Sequence, residues 1–440
     1  MKIAVIRLNM FEHIASDAMK PVLFGILKSL TPDRFDIEFY DERAGKLPDS
    51  IDADIIAFSV ETFTAKRAYI LTKRYKTADN IIAMGGFHAC VMPEEMLGYA
   101  DSVLVGDAEE TWPDFIADCE KGCPGRIYTA GESAPLSEYC DDGTVYRHKY
   151  HGIGVYQISR GCKFNCDFCS IKTMYKSVRR KPVDMIVREL RAAKEKIIFF
   201  ADDNIFYDRS TAVELFTALI PLRKKWACQI SMDAARDGEL LKLMKKSGCI
   251  LVLMGFESLN GESLAEMHKS ANMASDYSEI IKNVSRHGLM IYGTFVLGCD
   301  GDEPDVFGKT LDFAVRNNIA VTNFNPLIPM PGTKVYSRME QEGRLRHKKW
   351  WLSDDYRYGE TAFLPKNMTP EQLQNGCLDI RTRFYSLGCI LKRLFGSIHN
   401  FRPVNFFVFM AANLISRREI RSKQGQMLGG VLGETDSDKT

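Results

Sequence analysis

The chain has 440 residues, which is too long for one typical domain, so we expect two or three domains. Its content of 45% hydrophobic and 26% charged residues is that of a globular protein with a sizeable core, and a formal net charge of +1 gives no electrostatic signature of nucleic-acid binding. The N-terminus enters a strand-like run directly, and no apolar run approaches the ~20 residues that span a bilayer. We therefore expect a cytoplasmic protein without a nucleic-acid partner.

The first part of the chain alternates short apolar runs with amphipathic helical patterns. The strand-like runs are 3–6, 37–40, 55–59, 81–84 and 103–105, and the helical patterns cover 19–30, 65–77 and 109–119. Short apolar strands that alternate with helices predict a parallel sheet covered on both faces. We assign residues 1–130 to this doubly wound domain.

Small and hydroxyl-bearing residues follow three of these strands. Ligands of such sheets bind outside the carboxyl ends of the strands, and glycine lets the backbone approach a bulky ligand closely. The alternative is a set of ordinary tight turns, with the histidine as a hydrogen-bonding loop residue rather than a metal ligand. The candidate ligand-binding residues in these loops are Ser59, Thr62, Gly85, Gly86, His88 and Gly106.

A polar connection rich in Gly, Pro, Ser and Asp follows, and we predict a linker over residues 131–150. Cys119, Cys123 and Cys140 lie in or near it. Their irregular spacing favours unligated cysteines over a second metal cluster.

The most informative motif consists of Cys162, Cys166 and Cys169, spaced C-x3-C-x2-C after the strand-like run 155–159. Three thiolates from one loop can hold three irons of a cubane iron–sulfur cluster and leave the fourth iron open to a small molecule. A zinc site built from two cysteine pairs would need a second C-x2-C, and none follows in the sequence. The alternative is three unligated cysteines in a loop.

This spacing resembles the signature of the radical S-adenosylmethionine (SAM) superfamily, and Phe168 matches the family's aromatic position beside the adenosyl group. The resemblance implies a 4Fe–4S cluster whose open iron is chelated by SAM. The first domain resembles the cobalamin-binding domain that precedes many radical SAM cores, although the usual Gly-Glu-Gly-Glu loop is Gly106-Asp107-Ala108-Glu109 here. The D-x-H-x-x-G motif is absent from the sequence, so a bound cobalamin should have no protein histidine as its lower ligand.

The alternation of strands and helices resumes after the cysteines. The predicted strands are 196–200, 227–232, 250–255, 290–297 and 320–327, and helical patterns cover 183–193, 212–219, 239–245, 277–286 and 306–315. With the strand before Cys162 there are six, as the resemblance implies for a partial (βα)6 radical SAM barrel, which we assign to residues 151–344. Its carboxyl strand ends should form the active-site rim.

Several rim residues match the family's SAM-contacting positions. The resemblance implies that SAM is bound by Asp202, Asp203, Ser231, Glu257 and Gly298, in addition to Phe168. The alternative for the two aspartates is a helix N-cap and its neighbour, and Ser231 and Glu257 have structural alternatives too.

Residues 345–428 are predicted to be a helical C-terminal region, and residues 429–440 a disordered tail. From Arg381 to Gln424 there are nine Lys or Arg residues against one acidic residue, together with seven Phe or Tyr residues. Such a region can lie on a membrane surface and give access to a lipid. The alternative, which we favour from the sequence alone, is a helical cap whose aromatic residues pack on the barrel.

The predicted fold class is therefore α/β, with a cobalamin-binding-type domain, a radical SAM barrel and a helical extension. The resemblance implies an enzyme that forms a 5′-deoxyadenosyl radical and, with cobalamin, methylates an unactivated carbon. The alternatives are a cobalamin-dependent cyclase or oxidase and a corrinoid-binding carrier or sensor without catalysis. An external electron donor such as flavodoxin or ferredoxin is expected. The substrate stays open between small molecule, lipid and peptide.

Overall fold

The structure is a computed structural model that describes residues 1–11, 13–131, 135–140, 145–146, 150, 152–269, 272 and 276–430. The predicted tail falls outside the described residues from position 431 onward, as do 132–134, 141–144 and 147–149 of the predicted linker. The chain divides into two compact units. The first comprises Met1–His151, His347–Tyr358 and Lys423–Thr440, and the second comprises Gly152–Arg346 and Gly359–Ser422.

The first unit contains a six-stranded parallel sheet. Its strands are β1 (Lys2–Arg7), β2 (Asp36–Asp41), β3 (Ile55–Ser59), β4 (Ile81–Gly85), β5 (Ser102–Val105) and β6 (Ile127–Thr129), in the order β2-β1-β3-β4-β5-β6. The connecting helices are α1 (Val22–Leu30), α2 (Ala65–Tyr75), α3 (Phe87–Val91), α4 (Pro93–Met96) and α5 (Ala108–Glu120), with a 3-10 turn at Thr62–Thr64. The order reverses between β1 and β3, which creates a crevice at the carboxyl edge of the sheet.

The burial of β3 explains why this sheet forms. All five of its residues are buried, as expected for a central strand with helices on both faces. On one face Phe24 of α1 and Trp112 of α5 pack with residues of β1 and β3 in a single apolar cluster. The predicted doubly wound arrangement is confirmed. Strand β6 was not predicted, because it is a three-residue edge strand with no buried residue.

The segment His347–Tyr358 also belongs to the first unit. It contains a 3-10 turn at Trp350–Leu352 in which Trp350 and Trp351 are fully buried. The Trp350 ring lies 4.9 Å from the ring of Phe63, and the Trp351 indole N–H donates to the Glu95 carboxylate at 3.1 Å. The core of this unit is thus completed by residues that follow the second unit's strands in sequence.

The second unit contains the half-barrel. Its strands are β7 (Ile153–Tyr156), β10 (Ile197–Phe200), β11 (Lys225–Ile230), β12 (Cys249–Glu257), β13 (Met290–Leu297) and β14 (Val321–Pro326), and all neighbours are parallel. They stand in sequence order from β7 to β14, as right-handed βα crossovers produce. The predicted partial (βα)6 barrel is confirmed. The expected strand at 155–159 is divided into β7 and the short β8 (Ser159–Arg160), which pairs antiparallel with β9 (Arg179–Arg180).

Helices cover the outside of these strands and form the C-terminal region. In the barrel they are α6 (Ile171–Met174), α7 (Val183–Ala192), α8 (Arg209–Leu219), α9 (Met232–Arg236), α10 (Gly238–Ser247), α11 (Gly261–Glu266), α12 (Tyr277–Arg286), α13 (Val306–Arg316) and α14 (Lys334–Gln341). They continue with α15 (Pro370–Phe384), α16 (Leu387–Phe395) and α17 (Pro403–Lys423), and 3-10 turns occupy Ile220–Leu222 and Ile398–Phe401. In the described part of the chain, no helix combines the length and the apolar character needed to cross a bilayer.

Candidate functional site

The cysteine loop is closed at its base by the β8–β9 ladder. Ser159 pairs with Arg180 and Arg160 with Arg179, so the residues between them form one excursion. Gly161 begins the excursion at φ +91°, and a Cβ there would stand 2.5 Å from the Ser177 carbonyl oxygen. Only glycine fits this conformation and this close approach.

The loop brings the three predicted cluster ligands to one cavity. Cys162, Cys166 and Cys169 line a cavity of about 430 Å³ at the carboxyl ends of the barrel strands. Among the described residues, no three His, Cys, Asp or Glu side chains could hold a single metal ion. In a 4Fe–4S cluster each cysteine sulfur binds a different iron, and three cysteines that line one cavity fit that arrangement.

Burial governs the acidity of two of these thiols. It raises the pKa of Cys169 to about 11 and also raises the pKa of Cys166, and the nearby Lys269 ammonium offsets part of each rise. A thiolate is the form that binds metal. Cluster assembly at neutral pH therefore releases protons from these cysteines.

Lys269 and Glu257 form an ion pair inside the same cavity. The Lys269 Nζ lies 2.9 Å from a Glu257 carboxylate oxygen and 6.0 Å from the centre of the Phe168 ring. Glu257 ends β12 at φ +62°, a strained backbone for a non-glycine residue. Sequence reasoning missed Lys269, because a single lysine in the loop after Gly261–Glu266 forms no pattern that places it in the cavity.

The structure brings three more of the predicted SAM-contacting residues to this cavity. Phe168, Asp203 and Ser231 line it together with Glu257. An Asp203 carboxylate oxygen accepts the Gly161 N–H at 2.8 Å, and the Asn204 amide donates to the Ser231 hydroxyl at 3.2 Å. These contacts fix the two side chains beside the cysteines.

Asp202 and Gly298 do not line the cavity. The Asp202 carboxylate accepts hydrogen bonds from the Ile158 N–H and from both the N–H and the hydroxyl of Ser159, and burial raises its pKa to about 7. Gly298 lies at φ +92°, and a Cβ there would stand 2.3 Å from a Leu373 methyl carbon. The predicted contacts of Asp202 and Gly298 with SAM stay predictions.

The predicted loops of the first unit lie at the carboxyl edge of its sheet. Gly85, Gly86 and Gly106 are partly exposed there and present bare backbone. A Cβ at Gly86 would stand 2.9 Å from the Val60 carbonyl oxygen, and one at Gly106 would stand 2.9 Å from the Ala130 Cβ, so the fold itself requires glycine at both. The buried Ser59 hydroxyl lies 3.4 Å from the Arg7 guanidinium.

His88 and Thr62 are fully buried and contact each other. The His88 Nδ1 lies 3.2 Å from the Thr62 hydroxyl and its Nε2 lies 3.1 Å from a Glu95 carboxylate oxygen. Both ring nitrogens are therefore engaged within the protein. That a bound cobalamin has no protein histidine as its lower ligand stays a prediction.

The chain matches two family models. The model described as "Radical SAM superfamily" matches residues 156–314, and the one described as "Domain of unknown function (DUF4070)" matches residues 333–426.

Two relatives and one solved structure extend the likeness over most of the chain. The bacteriochlorophyllide d C-12(1)-methyltransferase of Chlorobaculum tepidum is 30% identical over 422 residues, which covers 92% of this chain and 90% of that protein. The bacteriochlorophyllide d C-8(2)-methyltransferase of the same organism is 26% identical over 74% of this chain and 77% of its own. The structure of TsrM from Kitasatospora setae, with cobalamin and a 4Fe–4S cluster bound, superposes with a TM-score of 0.61 at 14% identity, covering 78% of this chain and 75% of TsrM.

These findings define the class of protein. The chain belongs to the radical SAM superfamily, and its similarity to methyltransferases of that superfamily spans almost its whole length. It is an enzyme with a 4Fe–4S cluster and SAM as cofactors, as predicted. At this identity, the resemblance to TsrM shows a shared fold.

Proposed function

We propose that this protein is a cobalamin-dependent radical SAM C-methyltransferase that acts on an unactivated carbon. The observation that carries the proposal is the shared cavity of Cys162, Cys166 and Cys169 at the carboxyl ends of the half-barrel strands. The 30% identity to a bacteriochlorophyllide methyltransferase supports methyl transfer as the outcome. It also makes a tetrapyrrole of the bacteriochlorophyllide type the first substrate to test.

The three cysteines would hold the cluster, and the side chains around them would hold SAM. A bound, reduced cluster would supply the electron for reductive cleavage of SAM. Phe168 offers an aromatic face to the adenosyl group, and the Lys269 ammonium offers a cation to the SAM carboxylate. Asp203 and Glu257 are the acceptors in the cavity for the SAM amino group or ribose. A flavodoxin or ferredoxin would deliver the electron.

Cobalamin would be held at the carboxyl edge of the first unit's sheet. The reversal of strand order between β1 and β3 and the partly exposed glycines at positions 85, 86 and 106 support this, because they leave backbone open to a bulky ligand. Cobalamin bound there would supply the methyl group in its methylated form. His88 would position the loop through Thr62 and Glu95 without reaching cobalt.

The test is anaerobic reconstitution with iron, sulfide and cobalamin, followed by an assay with SAM, a reductant and the tetrapyrrole. We expect S-adenosylhomocysteine, 5′-deoxyadenosine and a methylated product to form together. Cys166→Ala should abolish all three, while Cys123→Ala, an exposed cysteine outside the motif, should leave them unchanged. Deoxyadenosine with an altered but unmethylated substrate would instead favour a cyclase or oxidase.

A further inference from the structure

The C-terminal helices carry an unusual concentration of exposed apolar side chains. Of the ten exposed large hydrophobic residues described in the second unit, eight lie between positions 387 and 414. We call these eight the apolar patch: Leu387, Leu391, Phe395, Ile398, Phe401, Phe406, Phe407 and Leu414. Ile398 is 81% exposed, Phe395 is 70% and Phe407 is 64%. A cluster of this kind on a folded surface marks an interaction site.

Helix geometry and a ring contact join four of these eight residues into one continuous surface. Leu387, Leu391 and Phe395 are four residues apart and form one stripe along α16. Ile390 and Leu394 on the other face of that helix are buried. The Phe395 ring lies 5.5 Å from the ring of Phe401, so the stripe continues into the following 3-10 turn.

A buried arginine holds these helices on the barrel. Arg393 is fully buried, its guanidinium lies 3.6 Å from the centre of the Phe384 ring, and it donates to the Asn413 side-chain oxygen at 2.9 Å. It also donates to the carbonyl oxygens of Ile319 and Ala320, which lead into β14. Because both α16 and α17 are fixed in this way, the apolar patch is presented outward on a rigid support.

The charge around the patch identifies the partner. Lys392 and Arg402 are exposed next to Leu391 and Phe401. A cleft of about 440 Å³ on α17 is lined by three arginines, one serine and one residue of the patch: Arg417, Arg418, Arg421, Ser422 and Leu414. The acidic residue of this stretch, Glu419, is buried. Arginine pairs with phosphate through parallel hydrogen bonds, so an apolar face beside an arginine-lined cleft matches acyl chains beside anionic headgroups.

We propose that the apolar patch docks this protein on the surface of an anionic lipid bilayer. A second copy of the chain is a poorer occupant, because a two-fold contact through this face would set its arginines and lysines against themselves. The proposal rests on surface residues only, and its test does not depend on catalysis. Phe384, Tyr385 and Phe409 are buried, as the interpretation favoured from the sequence expects, whereas Phe395, Phe401, Phe406 and Phe407 are exposed.

The experiment is co-sedimentation of the full chain with vesicles of phosphatidylcholine alone and of phosphatidylcholine mixed equally with phosphatidylglycerol. We expect binding to the anionic vesicles that weakens as salt rises. The double variant Phe395→Ser/Phe407→Ser should lower the partition coefficient by about tenfold or more, because each side chain loses its transfer to the acyl region. Leu364→Ser, an exposed leucine outside the patch, should bind like the wild type.

Charge reversal tests the headgroup contact separately. Arg418→Glu/Arg421→Glu should also lower binding by about tenfold or more, while Lys309→Glu/Arg316→Glu, on the exposed face of α13, should have much less effect. Circular dichroism and elution volume establish that each variant is folded. Failure of the folded wild type to bind anionic vesicles at low salt would overturn the proposal. So would a concentration-dependent dimer that Phe395→Ser/Phe407→Ser abolishes, since the patch would then bind a second copy.

Discussion

Lys269 offers the sharpest test of the candidate site, because its ammonium lines a cavity that should receive an anionic group. Its side chain is 19% exposed and that of its partner Glu257 is 8% exposed. Lys269→Met keeps most of the aliphatic stem and removes the ammonium. A hydrogen bond to a charged group contributes about 1.5–3 kcal/mol, so loss of the contact to the SAM carboxylate should weaken SAM binding by about 10- to 100-fold.

The same change has a second effect, on folding. It leaves the Glu257 carboxylate buried without its cation, which costs about 3–5 kcal/mol when a buried pair is broken. The double variant Lys269→Met/Glu257→Gln removes both charges, so it should recover stability relative to the single variant without recovering SAM affinity.

The two effects are measured on anaerobically reconstituted protein, by calorimetric titration with SAM and by urea denaturation. Lys334→Met is the matched control, because this lysine pairs with Asp167 within the cysteine motif but does not line the cavity. Iron content should be the same in all variants. SAM binding at wild-type affinity by a folded, fully loaded Lys269→Met protein would refute the assigned role.

Three further predictions follow from residues behind the two sites. Burial raises the pKa of Asp202 from 3.8 to about 7, so the stability that its protonated form contributes should be lost as pH rises through about 7. The urea midpoint should therefore fall less steeply between pH 5 and 8 in Asp202→Asn than in the wild type. Equal slopes in the two proteins would contradict this effect of Asp202. Gly298→Ala should destabilise the protein by about 1–3 kcal/mol, because its Cβ would meet Leu373 and its φ is positive. Adding Leu373→Ala should restore only part of that stability, because it removes the clash and leaves the backbone strain. A Gly298→Ala variant as stable as the wild type in urea denaturation would contradict both the clash and the strain. If cobalamin binds as proposed, the electron paramagnetic resonance spectrum of its Co(II) form should show no nitrogen splitting from a protein histidine, because both ring nitrogens of His88 contact other residues. The spectrum of His88→Gln should be the same as that of the wild type. A nitrogen splitting in the wild type that disappears in His88→Gln would show that His88 reaches the metal.

The fold was predictable from sequence where a buried strand or helix has a clear pattern of apolar residues. The strands Met290–Leu297 and Ile55–Ser59 were predicted with their observed bounds, since each is an apolar run buried in a parallel sheet. Edge strand β6 escaped prediction because an exposed three-residue strand has no hydrophobic periodicity to detect. The break between β7 and β8 also escaped, because it depends on Asp202 accepting the backbone N–H groups of residues far away in sequence.

The site was predictable only in part, for the same physical reason. Cys162, Cys166 and Cys169 were predictable as cluster ligands, because their spacing within one loop can be recognised without knowing how the rest of the chain folds. Asp202 and Asp203 are adjacent in sequence, yet Asp203 lines the cavity and Asp202 instead accepts a hydrogen bond from Ser159. Lys269 reaches the cavity through the loop after α11, and no local sequence pattern indicates that this loop lies there. The outward direction of Phe395 and Phe407 likewise depends on which helix faces Arg393 holds against the barrel.

The return of His347–Tyr358 to the first unit has a consequence for how the gene can be recombined. A chimaera joined to a relative at a single crossover near residue 151 would combine one parent's sheet with the other parent's tryptophan pair. The two parents would then supply the opposite sides of three contacts, so these contacts are at risk wherever the parental residues differ. They are the contact of Trp350 with Phe63 and those of Trp351 and Lys349 with Glu95. Because this unit comprises three separate segments of the chain, transferring it intact requires four crossovers. Phe63, Glu95, Lys349, Trp350 and Trp351 should therefore co-vary as though they were neighbours in sequence.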